Sequence, residues 1–121
     1  MSTVLVVDGA NVVGSRPDGW WKDRAGAARR LHEQLMVADT SYDVVVLVLE
    51  GKAKAGVRAG RDAHVQTVHA PGSGDATIVA QARTASERGD AVTVVTADRL
   101  LQAQVARYAG TQSPSWLLDQ L

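Results

Sequence analysis

The chain has 121 residues, of which 45% are hydrophobic and 21% are charged. This length and this balance predict a folded domain and argue against a disordered chain. Cysteine is absent, which excludes disulfides, thiolate nucleophiles and zinc sites with sulfur ligands. The 13 basic and 13 acidic residues cancel, so only a local cluster of cations, and no overall positive field, could attract a nucleic acid.

The amino terminus gives no sign of a targeting segment. Residues 1–3 (MST) lead straight into apolar, strand-like sequence, with no basic region before it. The chain also lacks a run of ~20 apolar residues, the length needed to cross a membrane. We therefore expect no export signal and no membrane partner. Together with the absence of cysteine, this predicts a cytoplasmic protein.

Apolar runs and helical spacings alternate along the chain. The runs at residues 3–7 (TVLVV), 44–49 (VVVLVL) and 91–96 (AVTVVT) are typical of parallel strands buried on both faces. A fourth run at 64–69 (HVQTVH) alternates more and predicts a shorter, edge-like strand. Helical spacing predicts helices at 23–38, 73–88 and 98–109, with a short helix from Pro114. No helix is indicated directly after the first strand.

This alternation predicts βαβ units with right-handed crossovers. We expect an α/β fold, a three-layer sandwich with a central, mostly parallel sheet of four or five strands. No repeat, low-complexity tract or linker interrupts the chain, so residues 1–121 are expected to form a single domain.

Acidic residues follow the predicted strands. Asp8 and Glu50 come directly after the first two, Asp98 follows the last, and Asp75 opens the helix after the shorter one. All four are expected at one sheet edge, because ligands of open parallel sheets bind beyond the carboxyl ends of the strands. Oxygen ligands without Cys favour a hard cation, Mg²⁺ or Mn²⁺.

Two polar residues lie close to these acids in the sequence. Asn11 follows Asp8 by three positions, and Thr96 precedes Asp98 by two, so either could orient a carboxylate or an attacking water. Less specific interpretations stay open: Asp75 and Asp98 also occupy helix-capping positions, and Glu50 could be a solvated residue after a strand.

Basic residues concentrate in residues 51–62 (GKAKAGVRAGRD), which hold Lys52, Lys54, Arg58 and Arg61. This basic segment leaves the same sheet edge as the acids, so it could contact a phosphate backbone or form an ordinary solvated surface. A second candidate is the pair Trp20 and Trp21, flanked by three cations. The pair could stack on bases or pack into a core that has no Phe. The flanking cations are Arg16, Lys22 and Arg24.

Three segments carry a resemblance to a known family. VVDGANVVG, GSGDATIVAQA and VVTADRLL together resemble the NYN domains, the YacP-like branch of the PIN-like ribonuclease superfamily, over nearly the whole chain. The resemblance implies a PIN-like fold and metal-dependent cleavage of RNA by an acidic cluster. It implies Asp8, Asp75 and Asp98 as metal ligands, Asn11 as the polar companion of the DGxN motif and Thr96 as support for Asp98.

Two departures from the family pattern concern the acids. Family members often have a second acid beside the one at position 75, where this chain has Ala76. The acid after the second strand is commonly Asp, whereas here it is Glu50, which keeps a carboxylate at longer reach.

The sequence thus predicts an endoribonuclease that uses Mg²⁺ or Mn²⁺ held by Asp8, Asp75 and Asp98, with Glu50 as a further ligand. Its RNA contacts are expected from Arg16 and the basic segment. One alternative is an inactive NYN domain that binds RNA or a protein; another, weaker one is a receiver-like or nucleotide-binding module. Whether a ribosome or another protein presents the RNA stays open, as does the oligomeric state, a homodimer included.

Overall fold

The computed structural model describes all residues from 1 to 121 and forms one sheet with helices on both faces. The strands are β1 (Thr3–Asp8), β2 (Val44–Leu49), β3 (Gly60–Asp62), β4 (Val65–His69), β5 (Ala91–Val95) and β6 (Gly110–Gln112). The helices are α1 (Gly9–Gly14), α2 (Arg24–Val37), α3 (Gly74–Glu87), α4 (Arg99–Val105) and α5 (Pro114–Leu118). Short 3-10 helices cover Trp20–Lys22 and Gly51–Gly56.

The sheet has the strand order β3-β4-β2-β1-β5-β6. All neighbouring strands run parallel except β3, which is antiparallel to β4. From the central β1 the chain first builds β2, β3 and β4 on one side, and α3 then leads to β5 on the other side. The ends of β1 and β5 therefore flank the point where the direction of winding changes, which is where open α/β sheets bind ligands.

The apolar runs bury both faces of the sheet, as their composition predicts. One face packs against α1, α2 and α5 around Leu5, Leu31 and Leu47. The other packs against α3 and α4 around Val6, Ile78 and other aliphatic side chains. The predicted three-layer α/β sandwich is confirmed, and so are the predicted helices over 23–38 and 73–88 and the short helix from Pro114, within a residue or two at their ends. No helix has the length and apolar character that crossing a membrane requires.

The sheet has six strands, so the prediction of four or five was too low. The two additional strands, β3 and β6, have three residues each, and all of these residues are exposed. Exposed strands of this length leave no hydrophobic pattern in the sequence. They are recognised only by their hydrogen bonds to a neighbouring strand. The prediction of an edge position for residues 64–69 was also wrong, since β3 covers the outer side of β4.

Helix α1 begins at Gly9, directly after β1, where the sequence gives no helical signal. It has six residues, of which two are glycine and two are valine, and these residues have weak helix propensity. Its stability comes instead from tertiary packing, because Val12 and Val13 lie in the core. The helix predicted over 98–109 is shorter than expected, because α4 ends at Val105.

Candidate functional site

Asp8 lies at the centre of the carboxyl edge of the sheet. Its side chain is the N-cap of α1: Oδ1 accepts a hydrogen bond from the Asn11 backbone N–H at 3.3 Å. Its other oxygen, Oδ2, accepts one from Thr96 Oγ1 at 3.0 Å. Asp8 is only 6% exposed and Thr96 is fully buried, so both hydrogen bonds hold the carboxylate in one orientation away from bulk water.

Hydrogen bonds join the DGxN segment (residues 8–11) to the segment after β5 (residues 96–98). Asn11 Oδ1 accepts a hydrogen bond from the backbone N–H of Ala97 at 2.8 Å. Thr96 Oγ1 accepts one from the backbone N–H of Asp98 at 3.1 Å while donating to Asp8. Asn11 therefore positions the loop after β5, and Thr96 positions Asp8 itself. These contacts join residues 86 and 88 positions apart in the chain.

The surroundings of Asp8 raise its pKa above the usual 3.8. Burial of the carboxylate is the largest cause; the hydrogen bonds from Thr96 and Asn11 oppose it, and the negative charges of Asp75 and Glu50 add to it. Three carboxylates thus share one local field. A cation bound among them would relieve both the repulsion and the desolvation.

Asp75 and Glu50, whose charges act on Asp8, lie at the ends of two other elements. Asp75 lies in the first turn of α3, and Glu50 follows β2. Glu50 Oε1 lies only 3.3 Å from the place that a Cβ of residue 74 would occupy, so Gly74 makes room for this carboxylate beside the start of α3. The expectation that acids after separate strands share one edge agrees with this placement.

Asp98 has a different setting. Its Oδ1 accepts hydrogen bonds from the backbone N–H groups of Leu100 at 2.9 Å and Leu101 at 3.1 Å, which makes it the N-cap of α4. The capping role that the sequence left open is therefore present. A metal-ligand role for Asp98 stays a prediction, and Asp98 is not among the charges that raise the pKa of Asp8.

The donor set fits a hard divalent cation. It consists of carboxylate, amide and hydroxyl oxygens, with neither sulfur nor imidazole among them. No three acidic or histidine side chains converge closely enough to hold a metal by themselves. Mg²⁺ nevertheless binds commonly through one or two carboxylates and keeps several waters, so Asp8 with Asp75 or Glu50 matches its requirements.

Some of the predicted RNA-binding cations lie beside these acids. Lys52 is exposed and lines a cleft together with Lys22 and Arg24. Lys54 donates a hydrogen bond from Nζ to the Ala70 carbonyl at 3.1 Å, which ties the basic segment to the loop after β4. Lys22 and Arg24 precede α2 or open it, so the segment around the Trp pair contributes as much charge here as the basic segment does.

The other predicted cations lie elsewhere or are unconstrained. Arg61 is paired with Gln66 in the sheet, toward the amino end of β4 and so away from the acids. Arg16 donates a hydrogen bond from Nη2 to Gln34 Oε1 at 2.7 Å, near the carboxyl end of α2. Arg58 is exposed. The structure therefore brings only part of the predicted cation set to the acidic edge.

Replacing Thr96 with Val is expected to lower the free energy of unfolding by about 1–3 kcal/mol, because the buried Asp8 carboxylate loses its donor. The same change should raise the pKa of Asp8 further, since the Thr96 hydrogen bond opposes the effect of burial. Urea denaturation of the variant measures the difference. The matched control is Thr96→Ser, which keeps the hydroxyl; equal stability of the two variants would contradict a role for this hydrogen bond.

Comparison with known proteins identifies the fold. No family model and no curated protein sequence matches the chain. The chain shares its α/β fold with a solved YacP structure, which confirms at the level of fold the resemblance noted in the sequence. One matching structure is a crystal structure of a point mutant of Rae1 (YacP) from Bacillus subtilis. The match has a TM-score of 0.73 and 20% sequence identity, over 97% of this chain and 73% of that one.

Proposed function

We propose that this protein is a metal-dependent endoribonuclease that hydrolyses phosphodiester bonds in RNA. The observation that carries the proposal is the buried Asp8 carboxylate, which shares its field with Asp75 and Glu50 at the winding-change point of a ribonuclease-related fold. A buried carboxyl group whose pKa is raised by burial and by neighbouring negative charges is typical of functional sites. The proposed location is the cytoplasm, and a ribosome or another protein as the presenter of the RNA stays a prediction, as does a homodimer.

The residues of the chain divide the work of such a reaction. Asp8, with Asp75 and Glu50, would hold Mg²⁺ or Mn²⁺ directly or through water, and Asp98 would extend this set. Bound there, the cation would polarise the phosphate and lower the pKa of a water molecule. Thr96 fixes the orientation of Asp8, and Asn11 fixes the loop that carries Thr96 and Asp98.

Cations beside the acids would hold the RNA backbone during this step. Lys22, Arg24 and Lys52 line one cleft and supply positive charge next to Glu50 and the acidic edge. Contacts of this kind position a nucleic acid without reading its sequence. They also leave the reaction itself to the acidic cluster, because none of these side chains forms a hydrogen bond or an ion pair with Asp8.

Mn²⁺ is expected to raise the melting temperature of the wild-type protein and to leave that of Asp8→Asn nearly unchanged. At a concentration one hundred times its Kd, a ligand of the native state adds about 2.7 kcal/mol, which corresponds to roughly 10 °C in a domain of this size. Thermal denaturation with Mn²⁺ and with EDTA measures the shift. Asp62→Asn is the matched control, because Asp62 is exposed in β3, away from the site.

A second candidate function is an inactive domain that binds RNA. Two observations favour it. Ala76 lies where NYN domains often have a second acid, and Asp98 Oδ1 already accepts the hydrogen bonds that cap α4. This candidate replaces the nuclease if Mn²⁺ neither raises the melting temperature nor supports cleavage of RNA, while the protein still binds RNA in EDTA.

A further inference from the structure

A cavity of about 310 Å³ adjoins the acidic cluster on the α1 side. Its walls include Ala10 from α1, Trp20 and Arg24 from the region before and at the start of α2, and Glu50 and Ala53 after β2. The volume is at the lower end of the roughly 300–1,000 Å³ typical of small-molecule sites. Glu50 belongs both to this cavity and to the field around Asp8, so the cavity opens beside the proposed reaction site.

The aromatic wall of the cavity is held in place. Trp20 packs partly against the hydrophobic core, so its ring has limited freedom to move. The Arg24 guanidinium lies over the Trp20 ring, with its Cζ 5.1 Å from the ring centroid. Trp21 meets Trp20 edge to face, at 6.0 Å between centroids. The walls of the cavity therefore include an aromatic ring and the planar cation stacked on it, and both are kinds of side chain on which unpaired bases stack.

A cleft of positive charge continues from the cavity. It has a volume of about 490 Å³ and is lined by Lys22, Arg24 and Lys52 together with Trp21 and Gly51. The lining contains three cations and no acid. Arg24 and Gly51 line both the cleft and the cavity, so the two spaces adjoin. An occupant that extends through both must have a flat apolar part and an anionic part.

We propose that the cavity binds one unpaired base of single-stranded RNA and that the cleft binds the phosphates next to it. A nucleotide is the occupant that supplies both a flat ring and an adjoining negative charge. Since Glu50 lines the cavity and shares the field around Asp8, the sugar-phosphate next to the bound base would lie close to Asp8. This inference rests on the proposed function in taking RNA as the substrate, but binding of the base requires neither cleavage nor a metal.

The variant that tests the proposal is Ala10→Leu. Ala10 is exposed on α1 and lines the cavity, so leucine would fill the space of the base without disturbing the core. The matched control is Ala103→Leu, the same change at an exposed position of α4 that does not line the cavity. Melting temperatures of both variants confirm that they fold.

Binding is measured in EDTA, so that no cleavage occurs, by fluorescence anisotropy of a labelled single-stranded RNA of about 12 nucleotides. Ala10→Leu is expected to weaken binding by at least roughly fivefold, the lower bound for losing one stacked base. Ala103→Leu should bind as the wild type does. The second probe is an oligomer of the same length that carries abasic sugar-phosphates throughout, and the wild type and Ala10→Leu should bind it equally.

Two results would overturn the proposal. In one, Ala10→Leu binds the RNA as tightly as the wild type does, which means that no base enters the cavity. In the other, Ala10→Leu weakens binding of the abasic oligomer as much as that of the RNA, which means that leucine disturbs a backbone contact. Failure of the proposed nuclease appears separately, as absence of cleavage with Mn²⁺ in a protein whose RNA binding in EDTA still depends on Ala10.

Discussion

Replacing Asp8 with Asn is expected to lower Mn²⁺-dependent RNA cleavage by more than about 100-fold. Loss of a residue that merely supports a metal ligand typically lowers affinity or activity 10- to 100-fold, so loss of the central ligand should lower it further. The change is small in volume, and asparagine can still cap α1 through its amide oxygen. The expected loss of activity therefore reports the missing charge and not a lost fold. Initial rates on a labelled RNA with Mn²⁺ measure it.

The same substitution is expected to stabilise the protein at neutral pH. Burial and the charges of Asp75 and Glu50 raise the pKa of Asp8 in the native state above 3.8, its value in the unfolded chain. The native state therefore holds this proton to a higher pH than the unfolded state does. The wild type should lose stability as the pH rises from 3.8 through the raised pKa, whereas Asp8→Asn has no such carboxylate to ionise.

Urea denaturation of both proteins at pH 4 and at pH 7, in EDTA, tests this sign. The stability advantage of Asp8→Asn should be larger at pH 7. A variant that is less stable than the wild type at pH 7 would mean that the hydrogen bonds from Thr96 and Asn11 outweigh the burial of the charge. For the cleavage assay, Asp62→Asn is the control; equal activity of Asp8→Asn and Asp62→Asn would rule out Asp8 as a metal ligand.

Replacing Gly9 with Ala is expected to lower the free energy of unfolding by roughly 1–3 kcal/mol, the usual cost of overpacking a core. A Cβ at position 9 would lie 2.6 Å from the Val48 carbonyl oxygen and 2.9 Å from Leu49 Cδ2. The first of these is a backbone atom of β2, so it cannot move aside as a flexible side chain can. Glycine in the DGxN motif therefore permits α1 to approach the neighbouring strand closely.

Helix α1 supplies its own control, because it also ends in glycine. A Cβ at Gly14 would meet its nearest neighbour, Cζ2 of Trp20, at 3.8 Å, an ordinary contact. Gly14→Ala should therefore be stabilising by about 0.5–1 kcal/mol, because alanine loses less backbone entropy on folding. Denaturation curves of the two variants should shift in opposite directions. If both variants are more stable than the wild type, helix propensity, and not the contact with β2, dominates at Gly9.

The sequence by itself determined the fold class and the location of the acids. Short continuous runs rich in valine are typical of strands buried on both faces, and helical spacing between them indicates crossover helices, so the three-layer sandwich followed from local patterns. Asp8, Glu50 and Asp75 follow or open elements whose ends meet at one edge, and this placement needs no knowledge of individual contacts. The VVDGANVVG and VVTADRLL segments were also recognisable as motifs before the contacts between them were known.

Only the tertiary structure decided what depends on contacts between distant residues. The six-residue α1 exists because Val12 and Val13 are buried by other elements, and β3 and β6 exist because a neighbouring strand accepts their hydrogen bonds. The tertiary structure likewise decided that Asp98 caps α4 and that Arg61 lies away from the acids, because both depend on where the backbone places these residues. Hydrophobic periodicity indicates which face of each segment packs against the core. The hydrogen bonds that orient a polar side chain, however, come from partners up to 88 positions away, as between Asp8 and Thr96.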